Sequence, residues 1–232
     1  MMRAMPTLAD ALRLLNEHAR PAELDGMARY GMAVDRRLGV SVPALRRIGR
    51  QLGRDHALAL ALWDTGIPDA QILAGLVAEP QRFGSGEMDA WARSMRSWDV
   101  CDGACLNAFA ASPLAWDKVA AWAGQRDEFV RRAGFSLLAV LAVHDKAAPD
   151  ARFVDALRLI EAAAADERNF VKKAVNWALR GIGKRNAALN AAAIGCAERL
   201  QRLDARSARW IACDALRELR SDAVRRRLGL AG

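Results

Sequence analysis

Histidine is scarce in this chain. Only His18, His56 and His144 occur, far apart, so the sequence offers neither a histidine metal cluster nor an obvious partner for a nucleophile. Cysteine is nearly as rare. Cys101, Cys105, Cys196 and Cys213 lack metal-ligand spacing, and a helix cannot join Cys101 to Cys105 without distortion, so all four read as reduced core thiols. No apolar run approaches the roughly 20 residues needed to cross a bilayer, and Met1 to Pro6 lacks the apolar core of a secretory leader. A cytoplasmic protein without membrane contact is expected. Glycine-rich phosphate loops are missing too: Gly181-Ile182-Gly183-Lys184 has neither the spacing nor the preceding strand of a P-loop and reads as a helix C-terminal cap. Sparse β-branched residues and a single tyrosine argue against sheet.

What remains is a helix-former's composition, rich in alanine and leucine. At 232 residues, 53% hydrophobic and 27% charged, the chain can bury one continuous core, and disorder is not expected. Thirty-five lysines and arginines against 27 acids give a net charge of +8, which favours a polyanionic partner such as nucleic acid.

Proline, glycine and aspartate divide the sequence into helix-sized pieces: Thr7 to Arg20, Pro21 to Val34, Val42 to Leu52, Asp55 to Asp64, Pro68 to Ala78, Gly86 to Arg96 and Asp99 to Ala111. Pro113 to Gly124, Asp127 to Val143, Asp150 to Ala165, Glu167 to Gly181, Ala187 to Leu203, Arg206 to Leu219 and a short turn near Val224 follow. Pro43, Pro68 and Pro113 sit where first-turn prolines belong. Connections are short and no linker interrupts them, so residues 1–232 read as a single domain. Within it Glu128-Phe129-Val130-Arg131-Arg132-Ala133 recurs 41 residues later as Asn169-Phe170-Val171-Lys172-Lys173-Ala174. A period near 40, made of two helices and two turns, belongs to HEAT-type arrays, in which each helix pair buries its apolar face on the next. The expected fold is an all-α, HEAT-like helical-repeat solenoid with a basic concave face.

Three features could carry chemistry. Between Arg168 and Ala197 lie six basic residues (Arg168, Lys172, Lys173, Arg180, Lys184, Arg185) and no acid, and Lys173, Trp177, Arg180 and Lys184 fall at i, i+4, i+7, i+11. That face could meet a DNA backbone; Trp177 reads equally well as core. A second basic stretch runs from Arg29 to Arg54, where Arg46, Arg50 and Arg54 share a helix face that by itself reads as solvated surface. Third, Ser97-Trp98-Asp99-Val100-Cys101-Asp102 places Trp98 and Asp102 on one face. Asp99 reads as a helix-start residue. Asp102 is either a sheltered carboxylate able to stabilise a developing cation or a complement to the helix dipole.

Together, Trp98-Asp99-Val100-Cys101-Asp102, Phe129 to Ala133 and Phe170 to Arg180 resemble the HEAT-like-repeat DNA alkylation repair glycosylases of the AlkD-like kind, over most of the chain. The resemblance implies hydrolysis of the N-glycosidic bond of purines alkylated at ring nitrogen 3 or 7 in double-stranded DNA. It implies that Trp98, Asp102, Arg132 and Trp177 line the lesion site as catalytic residues, and that no metal or organic cofactor takes part. Tyr30, followed by Leu38-Gly39-Val40 and Pro43, resembles a further site tyrosine. DNA contacts are expected from Tyr30, Arg36, Arg37, Arg131, Phe170, Lys172, Lys173, Arg180, Lys184 and Arg185. The implied mechanism leaves the base unflipped, contrary to the common pattern for glycosylases. Asn169 departs from the aromatic pair of the best-known members, and Arg131 is the substitute for Arg132 if the register shifts by one. The family also contains members that bind DNA without releasing bases, and the fold by itself would equally suit a scaffold for an acidic protein. A monomer is expected.

Overall fold

The computed structural model describes residues 6–230; Met1 to Met5, where no leader is expected, lie outside the described residues. Every regular element among the described residues is helical. The residues cluster into two compact units, Met1–Pro113 and Leu114–Gly232. The first carries α1 (Leu8–Glu17), α2 (Leu24–Arg29), α3 (Val42–Leu52), α4 (His56–Asp64), α5 (Pro68–Val77), α6 (Ser85–Ser94) and α7 (Trp98–Asn107). The second carries α8 (Ala115–Ala123), α9 (Glu128–His144), α10 (Asp150–Ala163), α11 (Asn169–Gly183), α12 (Ala187–Gln201), α13 (Arg206–Leu219) and α14 (Asp222–Arg227). The sequence reads as one domain because only Ser112-Pro113 marks this boundary and no linker composition flags it. No helix among the described residues is long and apolar enough to cross a membrane.

The helices begin where polar side chains can satisfy their first N–H groups. Thr7 and Asp10 form a capping box on α1, Asp127 accepts from the Phe129 and Val130 amides at α9, and Asn186 accepts from the Leu189 amide at α12. In the second unit α8 pairs with α9, α10 with α11 and α12 with α13. α9, α11 and α13 then lie side by side in one row, with α8, α10 and α12 in the other. This is the stacking that the 41-residue repeat anticipates, and the repeat-related Phe129 and Phe170 rings meet with centroids 5.6 Å apart. α9 is apolar nearly all round because it lies inside the stack: Val130, Ala133 and Phe135 through Ala142 are all buried.

α9 approaches α8 closely enough to require glycine. A Cβ on Gly134 would stand 2.8 Å from the Ala123 amide nitrogen and 3.1 Å from the Trp122 carbonyl carbon. Backbone atoms of a packed helix cannot yield as a side-chain tip can. Gly134→Ala is therefore expected to destabilise the second unit by about 2 kcal/mol despite the gain in helix propensity. Urea unfolding checks this, and an unchanged midpoint contradicts it. At Gly181 and Gly183 the outcome differs from the expected C-terminal cap. The helix does end there, but neither glycine has positive φ; Gly183 is there for space, since a Cβ would lie 2.9 Å from the Ala193 Cβ and 2.7 Å from Leu219. Cys213 likewise departs from expectation: it is exposed on α13, whereas Cys101, Cys105 and Cys196 are buried thiols.

The largest departure from the expected helices lies between Pro21 and Ser41. α2 stops at Arg29, Gly31 turns the chain with φ 74°, and Arg36 takes the left-handed conformation with φ 56°. Buried Asp69, at the start of α5, then accepts hydrogen bonds from the Leu38 and Val40 amides at 2.7 and 2.8 Å and fixes the segment in extended form.

Candidate functional site

In the first unit, the segment pinned by Asp69 is also clamped to the start of α7. Arg37, itself buried, donates to both Asp99 carboxylate oxygens at 2.7 and 3.0 Å and to the Ala33 carbonyl at 2.7 Å. The Ala33 amide donates to Ser97 Oγ at 3.0 Å, and the Trp98 indole N–H donates to the Tyr30 carbonyl at 3.1 Å. These contacts fix the ring plane of Trp98. Four residues on, Asp102 is half-buried, and both side chains line one cleft of about 280 Å³ with Met27, Met32, Leu45 and Ile72. Asp99, not Asp102, is the first-turn acid of α7, so the helix N-terminus is already complemented without Asp102.

The structure thus brings Trp98 and Asp102 together on one cleft, with Tyr30 beside Trp98 but outside the cleft lining. Tyr30 is 78% exposed, and its carbonyl accepts from the Trp98 indole. Arg37 is corrected from a DNA contact to a brace, because its guanidinium is closed off by Asp99 and Ser97. Arg36 is exposed. On α3 the apolar side buries Ala44, Leu45, Ile48 and Leu52, while Arg46, Arg47 and Arg50 point to solvent with no hydrogen bond or ion pair among the described residues. Arg46, Arg50 and Arg54 border one open groove with Gly49 and Gly53.

In the second unit, the adjacent arginines of the repeat separate by role. Arg131 donates to the Ala123 carbonyl at 3.0 Å and to Asp166 at 2.8 Å, so it ties α9 to the α10–α11 turn. Arg131 thus acts as a brace while its side chain stays 23% exposed. Arg132 is buried and donates to the Phe170 carbonyl at 2.7 Å, across to the start of α11. Phe170 is half-buried against Phe129, and Trp177, two turns further along α11, is half-buried.

Asp166 holds this corner. Arg168 above all, with Arg131, outweighs the burial that would raise its carboxyl and keeps it at about 2, against 3.8 for a free aspartate. With the folded value below the unfolded one, the stabilisation is complete above about pH 4 and is lost as pH falls from there through about 2. The loss is expected to be on the order of 2 kcal/mol. Asp166→Asn should flatten that part of the stability curve, and a variant whose acid limb matches the wild type contradicts the assignment.

The run of basic residues after Arg168 is not the concentrated patch that its local sequence suggests. α11 and α13 mesh in a register of 38 residues, which sets Asn176 on Asp214 at 2.7 Å and Arg180 on Glu218 at 2.6 Å. Lys184 reaches the other Glu218 oxygen at 2.5 Å. Burial by itself would raise the Glu218 carboxyl, but Lys184 and Arg180 together hold it below the usual range. Arg185 donates to the Ala142 carbonyl at 2.7 Å and packs on the Phe153 ring. Lys172 lies over the Trp210 ring at 5.0 Å, and Lys173 alone among the expected DNA contacts of α11 is exposed. The neutralising acids come from α13, beyond the window in which the sequence shows only bases.

The comparisons with known proteins agree with this architecture. A solved structure described as "A new family of proteins related to the HEAT-like repeat DNA glycosylases with affinity for branched DNA structures" superposes with a TM-score of 0.77 at 20% identity, covering 97% of each chain. At that identity the likeness shows the fold, an all-α HEAT-like repeat. A search of curated proteins gives no match. The model of the family described as "DNA alkylation repair enzyme" matches residues 11–219, spanning both units, and the chain belongs to that family.

Proposed function

We propose that the protein is a DNA glycosylase that hydrolyses the N-glycosidic bond of purines alkylated at ring nitrogen 3 or 7 in double-stranded DNA. In this reading residues 1–232 act as one repair domain, as a monomer, in the cytoplasm. The observation that carries it is the pairing of Trp98 with Asp102 on one cleft wall, in a chain of the DNA alkylation repair enzyme family. Alkylation at these positions makes the base cationic, so the bond from C1′ breaks with the electron pair leaving on the purine, which departs neutral. The sugar left behind is oxocarbenium-like and attracts a carboxylate. Asp102 stabilises that cation and orients the water that adds to C1′, taking up its proton. Trp98, on the same cleft wall, packs on the sugar and excludes bulk water.

Phosphate contacts elsewhere fall to the exposed cations, Arg36 and Lys173 with Arg46, Arg47 and Arg50. Free 3-methyladenine or 7-methylguanine, resolved by chromatography after incubation with methylated duplex, is the product this reading requires. A second reading is favoured by the solved relative described as having affinity for branched DNA: the chain binds DNA without releasing a base. It predicts salt-sensitive binding, tighter to a four-way junction than to a linear duplex, with the methylated bases left in place.

A further inference from the structure

Trp210 is the one exposed tryptophan of the seven, 41% accessible on α13. It contributes little to the core, because the inward face of that helix is already filled by Ala208, Ile211, Ala212, Ala215, Leu216 and Leu219. Its surroundings are cationic. The Lys172 ammonium lies over the ring at 5.0 Å, and Arg206, one turn earlier on α13, is exposed with no hydrogen bond or ion pair among the described residues. The neighbouring carboxylate, Glu167, accepts from the Ser207 amide at 2.9 Å, and that bond above all, with Arg206 and Lys172 nearby, holds it below the usual carboxylate range.

We infer that Trp210, with Lys172 and Arg206, forms a stacking platform for an unpaired nucleobase of DNA, apart from the cleft that holds Asp102. A solvent-facing indole beside cations has the chemistry of a single-strand contact: the ring offers a base the face that Lys172 does not cover, and the nearby charges meet the flanking phosphates. A base inside a duplex presents only its edges, so the platform favours tailed, flapped or frayed DNA over blunt duplex. The Lys172 ammonium holds the indole in place before a base arrives and is within reach of the phosphate that follows it. The inference rests on the proposal that the chain binds DNA but is independent of glycosylase activity.

The test compares a blunt duplex with the same duplex carrying a single-stranded tail, at fixed salt, for wild type, Trp210→Ala and Trp210→Phe. The wild type is expected to bind the tailed DNA roughly tenfold more tightly, as one stacked base provides. Trp210→Ala should lose that preference while keeping its affinity for the blunt duplex, and Trp210→Phe should retain most of it. The tailed DNA should quench wild-type tryptophan fluorescence more than the blunt duplex does, and that excess quenching should be absent in Trp210→Phe. Lys172→Met is expected to reduce the salt slope for the tailed DNA by about one. A tail preference that survives in Trp210→Ala, or a wild type that binds both DNAs equally, overturns the platform. A wild type that binds neither DNA overturns the DNA reading on which the platform rests.

Discussion

Asp102→Asn is expected to slow release of alkylated purine by about 10²- to 10³-fold under single-turnover conditions, with binding of undamaged duplex unchanged or slightly tighter. The substitution keeps the shape of the side chain and removes its charge. A neutral amide can still orient a water molecule, but it cannot stabilise a cationic sugar or take up the proton of the attacking water. Duplex affinity comes from cations facing phosphates, and loss of one acid does not weaken it. The geometry gives Asp102 no evident duty at the helix N-terminus, because Asp99 stands in the first turn of α7 and is claimed by Arg37. A parallel loss of binding and release in the variant would mean that Asp102 serves structure rather than chemistry.

Arg37→Ala is expected to destabilise the first unit by about 3 to 5 kcal/mol, the cost of leaving a sheltered carboxylate without its partner. The Arg37 side chain is 3% exposed and that of Asp99 14%, and the pair is bidentate. Arg37→Lys should recover only part of the loss, since an ammonium cannot match both carboxylate oxygens. The double variant Arg37→Ala, Asp99→Ala should be more stable than Arg37→Ala alone, because no charge is then stranded. Denaturant unfolding followed by helical signal reads all three. A single-variant loss below about 1 kcal/mol would place the pair among ordinary surface bridges. Activity is expected to fall with stability here, because the same clamp holds Tyr30 against Trp98.

Most of the helices were legible in the sequence because their signals are local. Val42–Leu52 and Arg206–Leu219 run as their apolar spacing indicates, and the Asp127 and Asn186 caps sit one residue ahead of their helices. The repeat was legible because α9 and α11 occupy the same place in successive layers and need the same side chains there. The break after Arg29 was not legible, because a buried acceptor 31 residues beyond Leu38, Asp69, stabilises the extended segment more than local propensity favours helix. In the candidate site, the i, i+4 pairing of Trp98 with Asp102 could be read directly. The roles of Arg37, Arg131, Arg180 and Lys184 could not, since their partners Asp99, Asp166 and Glu218 lie 62, 35, 38 and 34 residues away, respectively, and a charge in a sequence does not name its counter-ion.

Removal of alkylated purines from DNA is read without intermediaries as release of the free base. Protein in excess over a duplex carrying radiolabelled methylated purines is followed by chromatography of the soluble bases, beside a reaction without protein. 3-Methyladenine or 7-methylguanine is expected to appear well above the spontaneous rate, with abasic sites in equal number. Bases that leave only at the spontaneous rate while the duplex is bound would contradict it and leave a DNA-binding repeat protein of the same family.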